Sequence, residues 1–210
     1  MPPKINGPQS ASATPVPLEL LRTPPPRERA DAARNRAAVL DAAARLFAER
    51  GVADVSMDQI ASAAGVGKGT LFRRFGDKSG LAVALLDARE RRLQEAVLSG
   101  PPPLGPGAPA DARLAAFVTA YLDYLIEHLD LVRMSETAAP GARYRIGAYR
   151  FWQRHVSILL ADTPDPATAA HCLLAPLAAE HVAAILPEVG EERLRAGVLR
   201  LGHALARSVG

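Results

Sequence analysis

The chain has a single cysteine, Cys172, in 210 residues. That excludes an intramolecular disulfide and any multi-cysteine metal site, and it fits a reducing compartment. Aromatic residues make up only 5%. With β-branched residues also sparse and Ala and Leu abundant, the bias is toward helix and away from sheet. No apolar run approaches the length that spans a bilayer, and the Pro/Ser-rich start lacks the apolar segment of a signal peptide. The expectation is an all-α, soluble, cytoplasmic protein with no membrane partner. The sequence also lacks a P-loop, a dinucleotide fingerprint and a convincing nucleophile–base arrangement, so it is not read as an enzyme and no cofactor is expected.

What the chain does have is a basic first half. The net charge is +3 overall, and the Lys/Arg excess falls before the proline cluster near position 100. A basic bias confined to one half is compatible with a polyanionic partner. Proline punctuates the chain, with eight of its 18 residues before position 27. Residues 1–30 are therefore read as a disordered tail, too poor in large apolar side chains to offset the entropy of ordering. The arginines Arg27, Arg29, Arg34 and Arg36 are either a solvated run or an arm that reaches DNA.

From Arg34, Val39, Ala43, Leu46 and Phe47 form one apolar stripe that predicts a first helix ending at Gly51. Ser56 to Gln59 reads as a capping box, with Val55 and Ile60 as a hydrophobic staple, so a second helix starts at Met57. It stops at Gly65, where a left-handed backbone costs glycine least. A third helix begins at Lys68 with Leu71 and Phe75 inward and ends at Gly76. Asp77 caps a fourth, running from Lys78 to about Leu98. The segment "GPPPLGPGAP" from Gly100 divides the chain, and further helices are expected over 110–128, 131–137, 142–161, 167–186 and 191–207.

The second and third helices, joined by a three-residue turn, make a helix-turn-helix unit in which Ala61, Gly65, Val66 and Leu71 meet the steric needs of the angle. The outward face then carries Lys68, Thr70, Phe72 and Arg73, with Lys78 at the next helix start. Cations, hydroxyls and helix-terminal N–H groups suit phosphate oxygens, and a single helix fits the major groove. The alternative is a solvated basic surface on a structural hairpin.

The stretch from Ala37 to Leu81, with its "LFAERG", "AGVGKGTLFRRF" and "DK" elements, resembles the N-terminal DNA-binding domain of the tetracycline-repressor (TetR) family. The resemblance implies a helix-turn-helix domain over 31–80 and an effector-binding, dimerising helical domain over 81–210. It implies a homodimeric repressor that binds double-stranded operator DNA and is released by a small-molecule effector. Matching positions give Lys68, Thr70, Phe72, Arg73 and Lys78 as DNA contacts, with Ser56 at the head of the second helix. Two positions depart from the family pattern: Phe72 replaces the usual tyrosine and loses its hydroxyl, and Gly67 replaces the usual capping Ser/Thr.

In the second half, Tyr121, Tyr124, His128, Met134, Tyr149, Trp152 and His155 are candidates for an effector pocket. Arg143, Arg145, Arg150 and Arg154 either face an anionic effector, pair with Asp123, Glu127 or Glu180, or stand in water. His171 and His181, the former beside Cys172, are ten residues apart, too far for an i, i+4 pair on one metal, and no metal site is expected. Pro176 should kink a helix that is apolar nearly all round. With the stripe Leu194, Val198, Leu201 and Leu205, that helix suggests a four-helix bundle between two copies. The rival functions are a helical enzyme and a nonspecific architectural DNA binder.

Overall fold

The computed structural model describes residues 27–207; the proline-rich residues 1–26 lie outside the described residues. The described residues contain helices and no strand. Four helices build the first unit: α1 (Arg27–Arg50), α2 (Met57–Ala63), α3 (Lys68–Phe75) and α4 (Lys78–Ser99). The remainder follow as α5 (Ala110–Glu127), α6 (Leu129–Glu136), α7 (Ala142–Arg145), α8 (Gly147–Leu159), α9 (Pro166–Leu174), α10 (Ala179–Val189) and α11 (Glu191–Ala206).

The first helix starts earlier than its apolar stripe. Arg27 to Ala30, placed by sequence in a tail, already lie in α1, whose N-terminal turns carry mostly polar residues and Ala. The capping box forms as expected: the Gln59 N–H donates to Ser56 Oγ at 3.2 Å, and the Ser56 N–H donates to Gln59 Oε1 at 2.8 Å. Val55 and Ile60 are both fully buried, as a staple requires. Gly65 takes φ +66°, so the turn rests on a backbone that a side chain would strain. Gly80 has a different reason: a Cβ there would lie 1.9 Å from the Phe75 carbonyl oxygen, so only glycine lets α4 start against the end of α3.

Two cores result. One gathers Val39, Leu46, Phe47, Ile60, Leu71 and Leu81 under the helix-turn-helix. The other gathers Phe117, Leu122, Trp152, Val156, Leu173 and Val182. The helix α4 serves both, with Leu81 and Leu85 in the first and Leu86 and Val97 in the second. From α6, Leu131 and Met134 pack back onto the first core, so the two units share a seam.

The second half is more broken than its periodicity suggests. The expected helix over 142–161 is two, because Ile146 adopts an extended backbone (φ −70°, ψ 141°) between α7 and α8. The expected helix over 167–186 is also two: Pro176 sits in a 3-10 turn over Ala175–Leu177, Ala178 is extended, and the chain bends by 55°. Proline removes an N–H and clashes with the preceding turn, and a full break accommodates both. In contrast, Pro187 is carried inside α10, which continues to Val189.

The stripe assigned by sequence to a dimer face is largely used within the chain. Leu194 and Val198 are buried in the second core, and a Cβ at Gly202 would touch Leu173 and Leu114 at 3.6–3.7 Å. Arg195 fixes α11 to α5 through Asp123 at 2.6 Å and the Thr119 carbonyl at 3.1 Å. Leu194 and Val198 also form the floor of an apolar groove of about 320 Å³ that stays open between α10 and α11, with Ile185, Val189, Gly197 and Leu201 around it. No single helix among the described residues is long and apolar enough to cross a membrane.

Candidate nucleic-acid interface

Helix α3 is held by one buried side chain, Leu71, with Phe75 half-buried beside it, and this decides what points outward. Lys68, Gly69, Thr70, Phe72 and Arg73 are all exposed. Gly67 caps α3 with no side-chain hydrogen bond, so its first N–H groups are left without the acceptor a serine would provide. Uncapped N–H groups at a helix start favour an anion. Arg73 makes no hydrogen bond or ion pair with the described residues, whereas the Arg74 guanidinium donates to the Ala32 carbonyl at 2.8 Å and braces α3 against α1. Thr70 keeps its hydroxyl exposed on the side of α3 opposite Phe72.

The other candidates are engaged more deeply. Lys68 Nζ lies 2.7 Å from Asp58 Oδ2, an exposed pair across the two helices of the motif. The same ammonium stands 5.9 Å from the centre of the Phe72 ring. The Ser56 hydroxyl is occupied in the capping box. Lys78 differs most from its sequence reading. Its Nζ donates to the carbonyls of Val52, Ala53 and Val55 at 2.7, 3.2 and 2.8 Å. All three donors of an ammonium are thereby taken, so Lys78 ties the α1–α2 turn to the start of α4 and cannot donate to a phosphate without giving up one of these bonds. A lysine's structural use of carbonyls leaves no periodic trace in sequence. Asp77 caps α4, accepting from the Gly80 N–H at 2.9 Å, and the Ser79 hydroxyl with that N–H holds its carboxyl below the usual range.

The residues put forward for an effector pocket separate into two groups. Tyr121, Tyr124, Tyr149, Trp152 and His155 are buried in the second core. Phe117 packs on Tyr121, Trp152 and His155 with ring centres 5.2–5.7 Å apart. Burial, then the nearby Arg113 charge, brings the His155 imidazole down to about 4, and its Nε2 has no hydrogen-bond partner among the described residues. His128 and Met134 lie elsewhere. His128 lines a cleft of about 390 Å³ with Phe47, Val52, Leu85 and Arg89, between the first unit and the α5–α6 corner. Met134 lines a separate groove of about 590 Å³ beside Lys78 and Arg133. Both clefts lie on the seam between the two units.

No sequence reading of Arg143 holds. It faces no open anion site, is withdrawn from water and pairs with none of the acids named; its partner is Glu136, an acid absent from the sequence candidates. The pair is buried, at 7% and 5% side-chain exposure. Arg143 also donates to the carbonyls of Leu174 and Leu177, at 2.8 and 3.2 Å. Glu136 Oε2 accepts from the Ala179 N–H at 2.8 Å. These are backbone groups left over at the Pro176 break, so the ion pair substitutes for the helix that proline interrupts. Desolvation lifts the Glu136 carboxyl above the usual glutamate range, with Arg143 and the Ala179 N–H pulling against it. A half-buried acid, Glu90, accepts from the Tyr124 hydroxyl at 3.1 Å and is likewise raised by desolvation. His171 Nδ1 lies 2.6 Å from the Tyr149 hydroxyl.

With this geometry in place, comparison with known proteins is informative. Residues 39–85 match the model of bacterial regulatory proteins of the tetR family. An HTH-type transcriptional regulator of Staphylococcus aureus strain USA300 is 49% identical over 53 residues, which are 25% of this chain and 29% of the relative. The chain therefore spans less than a third of the curated relatives it matches. Solved structures cover far more. A TetR-family transcriptional regulator from Pectobacterium atrosepticum aligns over 86% of this chain and 96% of its own, at TM-score 0.61 and 25% identity. The fatty acid degradation regulator FadR from Bacillus halodurans aligns over 83% and 96%, at TM-score 0.58 and 20% identity. A TetR regulator from Rhodococcus sp. RHA1 aligns over 86% and 100%, at TM-score 0.61 and 22% identity.

Proposed function

We propose, on the premise that this chain is a TetR-family transcriptional regulator, that it is a cytoplasmic homodimeric repressor which binds operator DNA through α3 and is released by a small-molecule effector. The observation that carries this reading is the exposed surface of α3, where uncapped N–H groups, Thr70 and an unpaired Arg73 stand on one flank and Phe72 on the other, on a helix fixed from below by Leu71. We take residues 31–80 as the DNA-binding domain and 81–210 as the effector and dimerisation domain, with α4 as a whole shared by both cores. In a dimer, two such helices would enter successive major grooves about 34–36 Å apart. The apolar groove on α10 and α11 is the face for the second copy, with Ile185, Val189, Gly197 and Leu201 meeting their equivalents.

Direct contacts are assigned to Thr70, Phe72 and Arg73, with Lys68 contributing once it leaves Asp58. Lys78 and Ser56 support them by fixing the turn and the start of α2. An effector would act by preferring one arrangement of the seam between the two units, and its coupling to DNA equals its differential affinity for the two arrangements.

The test is binding of the purified protein to DNA from upstream of its own gene, against scrambled DNA of equal length, over a salt titration. Preference for the upstream fragment, steep salt dependence and loss on Thr70→Ala with Arg73→Ala support the reading. Absence of binding to any duplex at low salt overturns it.

A further inference from the structure

The geometry points to Phe72 as a residue that reads sequence, by packing its ring against the 5-methyl group of a thymine in each half-site. The inference rests on the DNA-binding reading above and adds what that face recognises. Five large apolar side chains among the described residues are substantially exposed, and Phe72, at 39%, is the one that lies on the helix-turn-helix. A ring left in water at that position gains by finding apolar surface when the groove closes over it.

Its neighbours leave it available and fix its aim. Gly69, one turn earlier, has nothing within 4 Å of where a Cβ would stand, so that flank of the ring is open and the α3 backbone can come close to the base edges. On another flank, Lys68 stands over the ring while ion-paired to Asp58, which limits the ring's freedom and offsets the nearest cation. The side chain has no donor or acceptor of its own. In the major groove, guanine, adenine and cytosine present polar edges, whereas thymine adds a methyl group. A phenyl ring pressed on a polar edge would leave that edge without its water and without a partner, which is unfavourable. Discrimination therefore arises in both directions: gain at the methyl, loss elsewhere.

The experiment uses the full-length protein and duplexes selected by it from a random pool. Each thymine of the selected site is replaced singly by deoxyuridine, which removes only the methyl. A buried methyl is worth about 0.8 kcal/mol, or about fourfold in Kd. The expected result is one thymine per half-site whose replacement weakens binding about fourfold for the natural chain. That sensitivity should vanish in Phe72→Ala and persist in part in Phe72→Leu. Restoring a methyl at the same step, with 5-methylcytosine in a G·C pair against plain cytosine, should recover affinity for the natural chain alone. A selected site at which no thymine is methyl-sensitive, or at which Phe72→Ala is equally sensitive, overturns the assignment to Phe72 and leaves the regulator reading standing. Failure to select any duplex overturns both. Because Phe72 is exposed, the variants should melt with the natural chain, and this is checked by circular dichroism.

Discussion

Removing the Arg143 guanidinium while keeping its bulk, as in Arg143→Met, tests whether the buried pair holds the second half together. Arg143 joins α7 to Glu136 of α6 and to the carbonyls of Leu174 and Leu177 around the proline break. The substitution leaves the Glu136 carboxylate buried with the Ala179 N–H as its remaining partner and strands those carbonyls. Breaking a buried pair from one side costs about 3–5 kcal/mol. For a chain of this size that lowers Tm by about 6–20 °C, at about 2–4 °C per kcal/mol. The assay is thermal and urea unfolding of the natural chain, Arg143→Met, Glu136→Gln and the double variant. The double variant should be more stable than Arg143→Met alone, because no uncompensated charge remains.

The pH dependence gives an independent check on the same pair. Glu136 is held above its ordinary value of 4.5 by burial. A raised folded value means that the group's contribution is full below about pH 4.5 and is lost as pH rises through the raised value. Without Arg143 that value climbs further, so the deficit of Arg143→Met should be greatest near pH 8 and shrink as pH falls toward 5. A loss below about 1 kcal/mol, the size of an exposed pair, or a double variant less stable than both single variants, would refute the reasoning.

Three further outcomes are expected. Lys78→Met removes three hydrogen bonds from one ammonium to the 52–55 turn; it should cost about 3–6 kcal/mol, since two of the three bonds are short and bonds to charged groups are worth about 1.5–3 kcal/mol each, and amide exchange should quicken in the turn residues. Tyr124→Phe takes the hydroxyl from Glu90, whose carboxyl burial already raises; urea unfolding should show a larger loss at pH 8 than at pH 5, because the ionised form needs that donor. Asp58→Asn frees Lys68 from its pair; binding to scrambled DNA should tighten and the salt slope should grow by about one unit, whereas an unchanged slope would mean that Lys68 does not reach phosphate.

The sequence by itself determined the local architecture of the first unit. Ser56 and Gln59 specify the start of α2, Gly65 the turn and Asp77 the start of α4, because caps and left-handed turns depend on neighbours in the chain. The outward set on α3 follows as well, since Leu71 alone fixes the helix's rotation. What only the tertiary structure decided is where long side chains go. Lys78 reads as a free cation until three carbonyls of a preceding turn converge on it. Arg143 reads as surface or pocket until Glu136 and a broken helix close around it, and the Leu194 and Val198 stripe reads as wholly a partner face until α5 and α9 take up one side of it. Apolar periodicity records that a helix face must be buried, and it carries no information about which surface does the burying. That is settled by the folded chain, where residues remote in sequence compete for the same contact.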